Sequence, residues 1–140
     1  MDDQTAHEVQ QWLVKADHDL RSAERLMGGD DPLLDTAVYH CQQAAEKALK
    51  AYLTAHGVMF PKLHLLSPLV ELCKDIEPSF DQLSDAAEML TPLATEFRYP
   101  GDILEPKQSE AEEAYRYAQD VISFVMDILM VTGLKVTVDR

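Results

Sequence analysis

Imidazole, amide and ammonium groups recur along one predicted helix in the first half of the chain. They are His40, Gln43, Lys47 and Lys50. At about 100° per residue these positions share one side of a helix. Because the chain is acidic elsewhere, cations that converge there would make an anion pocket. The alternatives are that the two lysines form a solvated face, or that they pair with carboxylates of the same chain such as Glu46.

Two further polar groups lie in predicted loops. His64 precedes the third predicted helix, and Arg98 with Tyr99 stands where the fourth meets a loop. A guanidinium binds phosphate or carboxylate well, and a tyrosine ring can stack on a base or simply pack. The alternative for Arg98 is an ion pair with a carboxylate such as Glu96, which would hold the protein together. We take Lys47, Lys50, His64, Arg98 and Tyr99 as the candidate ligand-binding or partner-binding residues.

Metal ligation and nucleophilic catalysis are not predicted. The 5 histidines are scattered, with no H-E-x-x-H and no Glu-x-x-His pair of a di-iron bundle. Cys41 follows His40, but adjacent residues of a helix diverge and do not face each other. We therefore expect no metal, no resident cofactor and no catalytic residue.

Composition favours one folded domain over residues 1–140. The hydrophobic fraction is 46% and the charged fraction 26%, which argues against disorder. A net charge of −13 opposes general nucleic-acid binding, because phosphate contacts need Lys and Arg. The polar N-terminus is unlike a signal peptide, and the apolar run near the C-terminus is too short and too polar to span a membrane. We read the two cysteines as buried hydrophobes in a reducing compartment and expect a cytoplasmic protein.

These polar groups must be positioned by helices, and the periodicity predicts five. The predicted ranges are Thr5–Met27, Pro32–His56, Pro68–Ile76, a fourth helix opening at Ser79 and running to Arg98, and Ser109–Thr132. Predicted N-caps or capping boxes are Thr5 with Glu8, Asp31, Ser67, Ser79 with Gln82, and Ser109 with Glu112. Pro92 predicts a kink, or a stop and restart capped by Thr91. We expect the segment 133–140 to form a flexible or docked tail.

The second predicted helix has the strongest signal and should lie at the centre. Its apolar positions share one face: Val38, Cys41, Ala45, Ala48, Leu49 and Tyr52. Several small residues on it suit close approach by another helix. Gly57 stands where a left-handed residue would end it. The fold class is therefore all-α, a bundle of helices.

Four segments of this chain together resemble the HEPN domain family. They are WLVKADHDLRSAERLM (12–27), YHCQQAAEKALKAYL (39–53), KLHLL (62–66) and FRYP (97–100), which occur in this order over nearly the whole chain. Each segment alone is weak, but the set is fairly specific. The resemblance implies an up-and-down bundle of four or five helices that usually forms a homodimer. It also implies nucleotide binding and a minimal nucleotidyltransferase as partner, as in many toxin–antitoxin pairs.

The resemblance also implies a position for catalysis, and this chain lacks part of the motif that the family uses there. Ribonuclease members of the family use an Arg followed, after four to six residues, by a His. Arg98 fits the first position, but the chain has Ile103, Leu104 and Glu105 at the second. Cleavage of RNA needs a group that moves the 2′-hydroxyl proton. We therefore expect a non-catalytic member. The alternative is a ribonuclease toxin with a degenerate site, in which His64 replaces the missing histidine.

Overall fold

The computed structural model describes residues 1–100, 105–131 and 133, and within them the secondary structure is helical. Five α-helices and two short 3-10 helices account for it. The α-helices are α1 Asp3–Met27, α2 Leu34–Ala55, α3 Leu66–Ile76, α4 Ser84–Leu90 and α5 Gln108–Val131, and the 3-10 helices are Pro78–Leu83 and Thr91–Ala94. The all-α prediction is confirmed.

Helix α2 lies at the centre of the bundle, as its sequence predicted. It packs against α1, α3 and α5, and it also contacts α4 and the second 3-10 helix. Fourteen of its 22 residues are buried, including all six predicted apolar positions. Alanines at 44, 45, 48 and 51 are fully buried, and their small side chains let the neighbouring helices approach closely. Because α2 is covered on so many sides, even its polar residues are drawn into contacts.

Three aromatic rings pack together where α2, the first 3-10 helix and α5 meet. The Phe80 ring lies 4.5 Å from that of Tyr52 and 4.9 Å from that of Phe124, measured between centroids. Phe80 is fully buried and Tyr52 nearly so. Burial raises the pKa of the Tyr52 phenol to about 12. This cluster fixes the first 3-10 helix against the bundle.

The first three α-helices begin differently from the predicted caps. Helix α1 begins at Asp3, because the Asp2 carboxylate accepts from the Thr5 backbone N–H at 2.7 Å. Helices α2 and α3 have Leu33 and Leu65 at their N-caps, without a side-chain hydrogen bond, so the predicted Asp31 and Ser67 caps are wrong. The predicted end of α2 is confirmed, since it finishes just before Gly57, whose φ is +66°.

The predicted fourth helix is divided into three pieces. Residues 78–83 form a 3-10 helix rather than an α-helix, so the predicted opening at Ser79 is wrong in type. The stop before Pro92 is confirmed, because α4 ends at Leu90. Thr91 does not cap a restart as predicted. Its hydroxyl donates to the Ala87 carbonyl at 2.7 Å and accepts from the Leu66 N–H at 3.2 Å, which ties α3 to α4.

Helix α5 begins at Gln108, one residue before the predicted start, and Glu110 lies in its first turn. The Glu110 carboxylate accepts from the Lys107 N–H at 2.9 Å, in place of the predicted pairing of Ser109 with Glu112. The predicted helix end at Thr132, the tail beyond Gly133, and Ile103 and Leu104 lie outside the described residues.

Both cysteines are free and buried, as predicted. Burial raises the pKa of each thiol to about 12, so neither is a thiolate near neutral pH. Within the described residues, no helix is long and apolar enough to cross a bilayer.

Candidate functional site

The Asp19 carboxylate of α1 receives two groups from α2. The Nδ1–H of His40 donates to its Oδ1 at 2.8 Å, and the ammonium of Lys47 donates to its Oδ2. The Asp19 side chain is only 11% exposed, so both contacts are partly shielded from water. Positions 40 and 47 are two turns apart on α2, which places both side chains toward the same point of α1. Lys47 is therefore neutralised within the bundle.

A second carboxylate, Glu46, is buried on α2 and collects three donors. It accepts from Lys50 Nζ at 3.0 Å, from His64 Nδ1 at 3.0 Å and from Gln42 Nε2 at 3.2 Å. Gln42 also donates to the His64 carbonyl at 2.9 Å, and its own oxygen accepts from Gln43. This network fastens the connector between α2 and α3 onto the bundle.

Lys50 is buried in spite of its charge. Its ammonium lies 5.7 Å from the centre of the Trp12 ring and 5.5 Å from that of Phe60, in addition to its contact with Glu46. The two rings pack edge to face, with centroids 6.2 Å apart. The interpretation of Lys47 and Lys50 as a solvated face is therefore wrong for Lys50, because α1 and the connector cover this side of α2.

Arg98 occupies a different position from the two lysines. Its guanidinium carbon lies 3.9 Å from the centre of the Tyr39 ring, a stacked cation–π contact. The side chain is exposed, and no described carboxylate forms an ion pair with it. The predicted pairing with Glu96 is not seen. Arg98 thus has a charge that a ligand can use.

A surface cavity of about 320 Å³ adjoins this stacked pair, and we call it the Arg98 recess. It is lined by Asp35, Thr36, Tyr39, His40 and Arg98. All but Arg98 come from the first two turns of α2. The recess offers a guanidinium, an imidazole, a hydroxyl and an aromatic face within one small volume. Such a set can bind a phosphate ester with an attached ring.

The structure separates the predicted candidates into three groups. Lys47 and His40 donate to Asp19, and Lys50 and His64 donate to Glu46. Arg98 instead contacts the ring of Tyr39. Tyr99 is 67% exposed. Glu46 is seven residues beyond Tyr39, about 10 Å along the helix axis, so His64 and Arg98 are held at separate positions.

Sequence reasoning missed Asp19, Asp35, Thr36 and Tyr39. Asp19 gives no signal in the sequence, because a polar residue on an amphipathic helix is usually exposed. Its 8% exposure results from the crossing of α1 and α2, which a helical pattern does not encode. The available signal was that Tyr39 directly precedes His40, the first of the polar positions singled out on this helix.

The match to known proteins agrees with this architecture. The family model for the HEPN domain matches residues 9–129. This protein belongs to the HEPN family. The HEPN bundle is also seen in two similar crystal structures. TT1696 from Thermus thermophilus is 30% identical, with a TM-score of 0.70 over 85% of this chain and 96% of that chain. ST0689, an archaeal HEPN homologue, is 24% identical, with a TM-score of 0.67 over 86% and 97%. No curated protein matches this chain.

Within the HEPN fold, the four segments that carried the resemblance have distinct structural roles. The segment 39–53 is the buried central helix, KLHLL contributes His64 to the Glu46 network, and FRYP places Arg98 on Tyr39. Segment 12–27 supplies Asp19. Among the described residues, no group of three or more His, Cys, Asp or Glu is placed to hold a metal ion.

Proposed function

We propose that this protein is a non-catalytic HEPN bundle that binds a nucleotide in the Arg98 recess. The observation that carries the proposal is the exposed guanidinium of Arg98, which is stacked on Tyr39 beside a cavity of about 320 Å³ and has no ion-pair partner among the described carboxylates. A guanidinium that lies over the face of a ring still has N–H groups available to phosphate oxygens.

The lysines are poorer anchors for the phosphate. Lys47 and Lys50 each already contact a shielded carboxylate, so a ligand would have to compete with Asp19 or Glu46. Both ion pairs contribute to the bundle, and breaking them would leave a partly buried charge. Asp35 is an acidic residue in the recess, and its carboxylate accepts from the Thr36 N–H at 2.7 Å and from the Thr36 hydroxyl at 3.3 Å. Because Asp35 keeps its negative charge, the phosphate must bind at the Arg98 side of the recess. We therefore assign phosphate binding to Arg98 and contact with the base or ribose to the ring of Tyr39 or Tyr99.

Thermal unfolding with a panel of nucleotides tests this proposal. A ligand at 100 times its Kd adds about 2.7 kcal/mol to the free energy of unfolding, which raises the Tm by several degrees. Arg98→Ala should abolish the shift. Arg116→Ala is the matched control, because Arg116 is an exposed arginine on α5, away from the recess. No shift with any nucleotide, or an equal shift in Arg98→Ala, would refute the proposal.

A second candidate function, a ribonuclease, is favoured by one specific contact. His40 lies in the same recess as Arg98, and its Nδ1–H donates to Asp19, which leaves Nε2 to act as an acid or base. His40 is better placed for this than His64, because His64 does not line the recess that holds Arg98. We rank this function second because Lys47 shares the same carboxylate and weakens its support of a charged imidazole. Cleavage of single-stranded RNA that is lost in His40→Ala and kept in His64→Ala would replace the non-catalytic proposal.

We also propose a protein partner of basic character, such as a minimal nucleotidyltransferase in a toxin–antitoxin pair. The net charge of −13 supports it, as do three exposed apolar side chains of the connector between α2 and α3. These are Met59, Leu63 and Leu65, which are 92%, 44% and 48% exposed. Co-expression with a genomically adjacent basic protein should give a complex that is lost in Met59→Asp. Asp85→Asn, at an exposed position of α4, is the control that should keep the complex.

The homodimer is a further proposal, supported by exposed apolar residues at the end of α5. Met130 and Val131 are 59% and 85% exposed. Light scattering at micromolar concentration should give twice the mass of one chain, and Met130→Glu should shift the protein toward the monomer. A monomeric wild-type protein would refute it.

A further inference from the structure

We propose a second anion site, on α1, that binds a phosphate group and is separate from the Arg98 recess. It is a cavity of about 270 Å³ lined by His18, Arg21, Ser22 and Arg25. We call it the α1 recess. Since liquid water occupies about 30 Å³ per molecule, the recess has room for a phosphate or pyrophosphate together with ordered water.

The helix itself brings the four residues together. Their spacing is i, i+3, i+4 and i+7, which places all four on one face over two turns of α1. Each side chain has a hydrogen-bond donor: two guanidiniums, one imidazole and one hydroxyl. No carboxylate lines this cavity. The lining therefore has the composition of an oxyanion site rather than that of a solvated helix face with mixed charges.

The α1 recess concentrates positive charge in an acidic chain. The sequence has 25 acidic residues against 12 Lys and Arg, and two of its arginines line this one cavity. Arg21 pairs with Asp17. Arg25 and His18 have no ion-pair partner among the described residues. Arg21 and Arg25 are four residues apart, a spacing at which like charges repel unless an anion lies between them.

The acidic neighbours leave most donors of the cluster available. Asp17, on the preceding turn, pairs with Arg21 Nη1 at 3.6 Å from a side chain that is 3% exposed, so this pair engages one nitrogen of a guanidinium that carries five N–H donors. Glu24 accepts from the Tyr115 hydroxyl of α5 at 3.0 Å. Arg25 also lies in the last turn of α1, where a cation suits the helix dipole. That role uses its charge and leaves its five N–H donors available.

A phosphate is the anion that fits this set. Two arginines can grip it with paired N–H donors, and the Ser22 hydroxyl adds a donor between them. A carboxylate has two oxygens and would satisfy only one of the arginines in this bidentate manner. The same phosphate chemistry can come from free phosphate or pyrophosphate, or from the phosphate end of a nucleotide.

The test is a ¹H–¹⁵N NMR titration of the full chain with inorganic phosphate and with pyrophosphate, at fixed pH and ionic strength, with chloride as the reference salt. We expect saturable shifts of the amides of residues 18–26. Arg21→Gln and Arg25→Gln should each weaken binding by about tenfold or more, the equivalent of about 1.4 kcal/mol. Arg116→Gln, an exposed arginine on α5, should leave binding unchanged. Because all three positions are at the surface, unaltered spectra elsewhere verify that the variants are folded.

Several outcomes would overturn the α1 site. These are shifts that increase linearly without saturation, shifts that chloride reproduces, and an equal loss in Arg116→Gln. The Arg98→Ala variant separates this site from the proposed nucleotide site. Retention of the α1 shifts in Arg98→Ala supports two independent sites, whereas their loss would assign the phosphate to the Arg98 recess. An ATP titration of Arg98→Ala then identifies the source: shifts at residues 18–26 indicate nucleotide phosphates, and shifts with phosphate or pyrophosphate alone indicate the free anion.

Discussion

Replacement of Glu46 by Gln removes one negative charge from the centre of the bundle and almost no volume. The wild-type carboxylate is 4% exposed and accepts from Lys50, His64 and Gln42. In the variant, the amide oxygen can still accept from His64 or Gln42. The amide nitrogen, however, then faces the ammonium of Lys50, so two donors oppose each other.

The size of the effect follows from the burial of Lys50, whose side chain is 11% exposed. Removing one partner of a buried ion pair costs about 3–5 kcal/mol, because the other charge remains without compensation. The Trp12 and Phe60 rings lie within 6 Å of the ammonium and retain part of its stabilisation, about 0.5–2 kcal/mol. We therefore expect the lower end, about 3 kcal/mol, which corresponds to a fall in Tm of roughly 6–12 °C.

Urea unfolding followed by circular dichroism measures this loss, and Glu71→Gln is the matched control. Glu71 forms a surface pair with Lys74 at 3.4 Å and is 67% exposed, so its replacement should change stability by less than about 0.5 kcal/mol. In a Lys50→Met background, Glu46→Gln should cost less than in the wild type, because no buried ammonium is left unpaired.

Equal stability of Glu46→Gln and Glu71→Gln would refute the reasoning. It would mean that water or the aromatic rings compensate the Lys50 charge without Glu46. A full cost of about 3 kcal/mol in the Lys50→Met background as well would be a different contradiction, since it would assign the loss to the His64 and Gln42 contacts.

Three more perturbations give clear expectations. Asp19→Asn removes the counter-charge of an imidazole and an ammonium, and urea unfolding should show a loss of about 1–3 kcal/mol, larger than that of the same surface control. The pKa of Cys41 and of Cys73 is about 12 in the fold against a usual 9.0, so the unfolded chain releases these protons first. The Tm should therefore fall as the pH rises from about 9 toward 12, and less steeply in the Cys41→Ala/Cys73→Ala variant; an equal slope would contradict this origin. Gly57→Ala forces a side chain onto a φ of +66° and should cost about 1 kcal/mol, whereas Gly28→Ala, at a φ of −91°, should cost clearly less; equal losses would disprove the backbone explanation.

The sequence by itself determined the helices and the central place of α2. The apolar stripe from Val38 to Tyr52 repeats at the helical period, and such a stripe is buried wherever a bundle forms. The break before Pro92 was also predictable, because proline lacks the N–H that a continuing helix needs. The caps at Asp31 and Ser67 were not, since an N-cap depends on the path by which the chain enters the helix.

Only the tertiary structure decided which cations remain available to a ligand. Lys47, Lys50 and Arg98 look equivalent in sequence. In the structure, Lys47 donates to Asp19 of α1, and Lys50 is enclosed by Glu46 and two aromatic rings. Arg98 instead contacts the ring of Tyr39. The availability of His18 and Arg25 was likewise visible only in the structure, because the α1 recess that they line was not predicted from the sequence. Periodicity is a property of one helix, whereas the pairing of charges depends on the distances between helices, which packing alone sets.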